Sequence, residues 1–75
     1  MKVTVRLIGG LVRTVGFSEA EIPLPAGTTA GALLASLGID RPGAVVTTRN
    51  GQGIALGDIL ADGDRVLISP PFSGG

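Results

Sequence analysis

The sequence predicts an α+β domain, a mixed sheet of four to five strands with one main helix packed on one face. Three observations predict it. Apolar residues alternate with polar ones at both ends of the chain, a single segment carries apolar residues at helical spacing, and glycine or proline punctuates every junction. In the order strand, strand, helix, strand, short strand, strand, two hairpin-like units flank one helix, which favours a helix layered on a sheet. The first and last strands can then lie parallel and central.

Val3, Val5 and Leu7 share one face of a period-two pattern while Lys2, Thr4 and Arg6 take the other, as in a half-buried strand. A loop around Gly9-Gly10 and Gly16 leads to Glu19–Leu24, whose alternation marks a hairpin partner, and Pro23 favours an edge position. Thr28 or Thr29 can cap a helix in which Ala30, Leu33, Leu34 and Leu37 fall at i, i+3, i+4 and i+7, with Gly38 as its stop. Gly31 within it costs about 1 kcal/mol against alanine, which tertiary contacts must offset. Val45–Arg49 reads as a strand, Asn50-Gly51 as a tight turn, and Ile54–Leu56 as a short returning strand. Asp58–Leu60 fits a single helical turn, and Asp62-Gly63 turns the chain into a final strand, Asp64–Ile68. Pro70 and Pro71 end that strand by removing two successive backbone donors, so residues 1–69 form the globule and 70–75 a flexible tail.

Composition narrows the function. A chain of 75 residues holds one small core, and without cysteine or histidine it lacks thiolate zinc sites and most nucleophile–base arrangements. Six Lys plus Arg balance six Asp plus Glu, so no basic field exists for nucleic acid, and no polybasic run for a membrane. No apolar stretch has signal-peptide or membrane-spanning character, and a cytoplasmic location is expected. Asp58, Asp62 and Asp64 sit in turn-rich sequence without a full ligand loop, which favours turn chemistry over a cation site. No bound cofactor is expected.

The tail carries the chemistry. It leaves a predicted central strand, is stiffened at its root by Pro70 and Pro71, and ends in Gly74-Gly75, where no Cβ obstructs a narrow channel. Five residues beyond Pro70, fully extended, reach about 17 Å. A free α-carboxyl has a reference pKa of about 3.3 to 3.7, so it is ionised at neutral pH and can attack the α-phosphate of ATP. Adenylation makes a mixed anhydride from which a sulfur donor can displace AMP, leaving a thiocarboxylate. Every catalytic group would come from partners.

Asn50-Gly51, Leu60-Ala61-Asp62-Gly63-Asp64, a hydrophobic strand and Pro70-Pro71-Phe72-Ser73-Gly74-Gly75 resemble, in order and spacing, the ubiquitin-like MoaD/ThiS sulfur carriers. The resemblance covers essentially the whole chain and implies a β-grasp fold. The Pro-Pro-hydrophobic-small-Gly-Gly ending is most similar to the small subunit of molybdopterin synthase, although Ile8-Gly9-Gly10 replaces a more aromatic segment usual there. It implies a non-catalytic protein co-substrate that donates sulfur for molybdenum cofactor biosynthesis. The implied partners are an E1-like adenylating enzyme that uses ATP, a sulfur donor system and a large synthase subunit. Gly75 would bear the adenylate and thiocarboxylate, Pro70, Pro71, Ser73 and Gly74 would form the tail in the partner's channel, and Phe72 would anchor it.

Ile8 and Leu67 have the opposite parity to the core positions and are expected on the open sheet face, near the strand that feeds the tail. They form a candidate docking patch, with Arg6, Arg49 and Arg65 at its flanks; burial by loop residues, or ordinary surface apolarity, is the competing reading. Alternative destinations for the sulfur are thiamine, thiolated tRNA, cysteine or a tungsten cofactor. A ubiquitin-like protein modifier or plain interaction domain is the alternative from another class, and Lys2, the sole lysine, leaves few sites for self-conjugation.

Overall fold

A computed structural model describes residues 1–71. The expected tail residues Phe72, Ser73, Gly74 and Gly75 lie outside the described residues. Five strands, β1 (Lys2–Leu7), β2 (Glu19–Pro23), β3 (Val46–Arg49), β4 (Gln52–Gly53) and β5 (Arg65–Ser69), form one mixed sheet in the order β2-β1-β5-β3-β4. β1 and β5 are central and parallel, with Val5 opposite Val66 and Leu7 opposite Ile68. The remaining pairs are antiparallel, and Pro23 stands on the edge strand β2, where its missing donor is tolerated.

The main helix α2 (Ala30–Ser36) covers one sheet face; α1 (Leu11–Val15) is a shorter helix. The Thr29 hydroxyl caps α2 by accepting from the Ala32 amide at 3.1 Å. Gly38, at φ 81°, takes the left-handed conformation that closes its C-terminal turn. Ala30, Leu33 and Leu34 from the helix meet Val3, Val5, Leu7, Val66 and Ile68 from β1 and β5, with Ile39 and Leu60 completing the buried core. This is the ubiquitin-like β-grasp arrangement.

Three local expectations need correction. The segment after β1 is not plain loop: α1 forms between Gly10 and Gly16 because Leu11, Val12 and Val15 pack half-buried against the core, overriding the poor helix propensity of two valines and a threonine. The returning strand is Gln52–Gly53, not Ile54–Leu56. Asn50 (φ 52°) and Gly51 (φ 86°) are both left-handed, as a two-residue hairpin turn with the sheet's own twist requires, so pairing resumes at once. The chain then peels away to cover the start of α2, where Leu56 O accepts from Gly31 N at 2.8 Å and Asp58 O from Ala30 N at 2.9 Å. Asp58–Leu60 is therefore not a helical turn. Ile59 instead bridges to Thr29, Leu60 N donates to Thr28 O, and the Asp58 carboxylate accepts from Ala55 N at 3.0 Å. A 3-10 turn at Pro42–Ala44, also outside the expectations, leads into β3.

Candidate functional site

The candidate site is the open sheet face and the point where β5 hands the chain to Pro70 and Pro71. Alternation along β5 sends Val66 and Ile68 into the core and leaves Arg65, Leu67 and Ser69 on the face without a helix. Register then builds rows across that face. Arg6 stands beside Leu67 on β5 and Glu19 on β2, and Thr48 flanks Leu67 on its other side. Thr4 stands between Arg65 and Glu21. A shallow depression of about 440 Å³ is lined by Thr4, Arg6, Glu19, Thr48, Arg65 and Leu67, among others.

The row nearest the C-terminus carries apolar residues on either side of Ser69. Ser69 is opposite Val46, which is 45% exposed. On the other side the parallel ladder continues to Ile8, whose amide donates to Ile68 O at 3.2 Å and whose residue is 42% exposed. Ile8, Leu67 and Val46 thus surround Ser69 at the last rung of the central strand pair. Leu67 is half-buried, so Ile8 and Val46 supply most of the exposed apolar surface. Val46 is not legible in the sequence, because a β-branched run gives no face until a register is known; its pairing with Ser69 and its 45% exposure place it on the open face.

The charged flank is narrower than expected. Arg6 and Arg65 are exposed on the open face, but Arg49 belongs to the opposite side of β3, with buried Thr47. Its Nη1 donates to Ile59 O at 2.8 Å and lies 3.5 Å from Asp64 Oδ2, the sole ion pair among the described residues. Asp64, 7% exposed, accepts from Ala61 N at 2.8 Å and from Asn50 Nδ2 at 3.2 Å. Asn50 in turn accepts from Arg65 N through its side chain and donates to Arg65 O through its amide. These bonds fix the start of β5 against the β3–β4 turn. Asp62 Oδ1 accepts from Lys2 N at 2.7 Å, so all three aspartates are turn acceptors.

At its far end β5 stops at Ser69, followed by half-buried Pro70 and exposed Pro71. Gly9, at φ 63°, lies against Pro70: a Cβ on Gly9 would stand 3.5 Å from Pro70 Cγ. No helix among the described residues is long and apolar enough to cross a membrane.

Known proteins carry the same architecture. The first small archaeal modifier protein of Haloferax volcanii superposes with a TM-score of 0.80 at 25% identity, over 100% of both chains. A putative molybdopterin converting factor subunit 1 from Pyrococcus furiosus gives 0.82 at 26%, covering 96% of this chain and 99% of its own. A structure of the complex of subunits 1 and 2 of the molybdopterin-converting factor from Helicobacter pylori gives 0.68 at 26%, over 100% of both chains. No curated protein sequence matches the chain. The model of the ThiS family matches residues 5–75, from the first central strand through the final glycine. A match of that extent, on a β-grasp sheet shared with these small ubiquitin-like proteins, establishes that the chain belongs to the ThiS family.

Proposed function

We propose that this chain is a sulfur carrier whose terminal carboxylate, on Gly75, is activated by adenylation and converted to a thiocarboxylate. The observation that supports this best is the family match running through Gly75 on a chain whose central strand passes directly into Pro70 and Pro71. In the first step a Gly75 carboxylate oxygen attacks the α-phosphate of ATP and pyrophosphate leaves. In the second a sulfur nucleophile attacks the acyl carbon and AMP leaves: hydrosulfide gives the thiocarboxylate directly, while a persulfide donor gives an acyl disulfide that a second thiol cleaves, leaving as the disulfide with the donor. The chain supplies the acyl group and the docking surface, and an E1-like adenylating enzyme supplies the catalytic groups.

Docking falls to Ile8, Leu67 and Val46, with Arg6 and Arg65 steering acidic residues of a partner, while Phe72 anchors the tail and Ser73-Gly74 occupy the channel. Delivery to molybdopterin, through a large synthase subunit, is the favoured destination. The Pro70-Pro71 ending supports it, as do the likenesses to molybdopterin converting factor subunit 1. Incubation with an adenylating enzyme, ATP and a sulfur source, then with a large synthase subunit and pterin precursor, tests both steps; sulfur loading without transfer would reject the destination alone. A second reading, protein modification, draws on the likeness to the small archaeal modifier protein. Gly75 joined by isopeptide bonds to target lysines would favour it.

A further inference from the structure

We propose that the Gly9-Gly10 turn, held by α1, is a seat for Pro70, and that this seat sets the direction in which the chain passes from β5 into Pro71. The inference rests on the sulfur-carrier reading and assigns Pro70 and Gly9 as positioning residues for it.

The two central strands end together. Ile8 N donates to Ile68 O, and immediately beyond that rung Gly9 turns away in the left-handed region while Ser69 continues into Pro70. The turn brings Gly9 beside the proline ring: a Cβ built on Gly9 would stand 3.5 Å from Pro70 Cγ and 3.9 Å from its Cδ, ordinary van der Waals distances. Glycine is called for here by φ 63°, a conformation that side-chain-bearing residues rarely adopt. The turn is itself anchored: Val12 N donates to Gly9 O at 3.2 Å, and Thr14 donates to Gly10 O through both its amide and its hydroxyl at 3.3 Å. α1 carries these donors and is held to the core by Leu11, Val12 and Val15.

The two prolines are chemically alike but differently placed. Each restricts its own φ, but Pro70 is half-buried beside Gly9 where Pro71 is exposed. Orientation established before docking does not have to be found within the partner's channel, so losing the seat should raise KM more than it lowers kcat.

The test compares Pro70→Ala with Pro71→Ala, since both lose the φ restriction and only the first loses the seat. Saturation kinetics are read with the adenylating enzyme that thiocarboxylates the wild-type chain. Pro70→Ala is expected to raise KM for the carrier roughly 2- to 10-fold with kcat within about 2-fold, and Pro71→Ala to raise it less. Heteronuclear relaxation supplies a readout independent of any enzyme: the Ser69 amide should gain fast motion in Pro70→Ala and in Gly9→Val, but not in Pro71→Ala. Equal KM effects from the two prolines, or an unchanged Ser69 amide in Pro70→Ala, would overturn the seat. Failure of every adenylating enzyme to load the wild-type chain would instead remove the sulfur-carrier reading and leave the relaxation result to judge the contact.

Discussion

Truncating Ile8 and Val46 to alanine removes the most exposed apolar atoms from the row beside the chain's exit, and the expected loss follows from their exposure. Val→Ala deletes two carbons and Ile→Ala three, each worth about 0.8 kcal/mol when moved from water to an apolar contact. Val46 has 45% and Ile8 42% of its surface still to bury, which scales these to about 0.7 and 1.0 kcal/mol. On the proposed sulfur-carrier reading, the double variant should therefore bind an adenylating enzyme that loads the wild-type chain roughly 20-fold more weakly. Ile59 provides the control, since at 61% it is more exposed than either, yet it lies in the loop that bridges to Thr29 at the start of α2. If exposure alone governed docking, Ile59→Ala would cost about 1.5 kcal/mol, or roughly 10-fold. A location-specific patch predicts less than about 2-fold for it. Calorimetric titration against the partner measures all three, with thermal unfolding to check that each variant keeps its fold. A double variant within about 2-fold of wild type, or an Ile59→Ala loss as large as that of the patch, would refute the assignment.

Two further predictions concern the frame that holds this face. Gly31→Ala should destabilise the domain by about 0.5 to 1 kcal/mol in urea titration, because the new Cβ would lie 3.1 Å from Leu56 O and strain the 2.8 Å Gly31 N to Leu56 O bond; a gain near 1 kcal/mol, as helix propensity alone predicts, would show that the loop yields freely. Asp64→Ala should cost about 2 to 3 kcal/mol and lower Tm by roughly 10 to 20 °C, since it strips acceptors from Ala61 N, Asn50 Nδ2 and Arg49, whereas a loss below about 1 kcal/mol would mean that water replaces them.

The parts of the fold legible in the sequence are those where local pattern and tertiary environment agree. Val3, Val5 and Leu7 alternate because a sheet with one helix-covered face demands it, and Thr29, Leu33, Leu34 and Gly38 mark a capped amphipathic helix. Asn50-Gly51 named its turn, yet the returning strand was placed too late: whether pairing starts at Gln52 or Ile54 depends on the loop being drawn off to Gly31 and Ala30, a long-range contact. α1 was hidden for the same kind of reason, its residues becoming helical only against a core assembled from elsewhere. On the open face, parity was enough to place Ile8 and Leu67. Val46 and the diversion of Arg49 to Ile59 O and Asp64 required the register of β3 against β5 and the path of the following loop.

Intact mass of the chain after incubation with ATP, a sulfur source and an adenylating enzyme tests the central claim most directly. One oxygen exchanged for one sulfur, mapped by fragmentation to Gly75 and lost when Gly75 is deleted, is the predicted result. An unchanged mass with enzymes that load other family members, or sulfur found at any other residue, would contradict it.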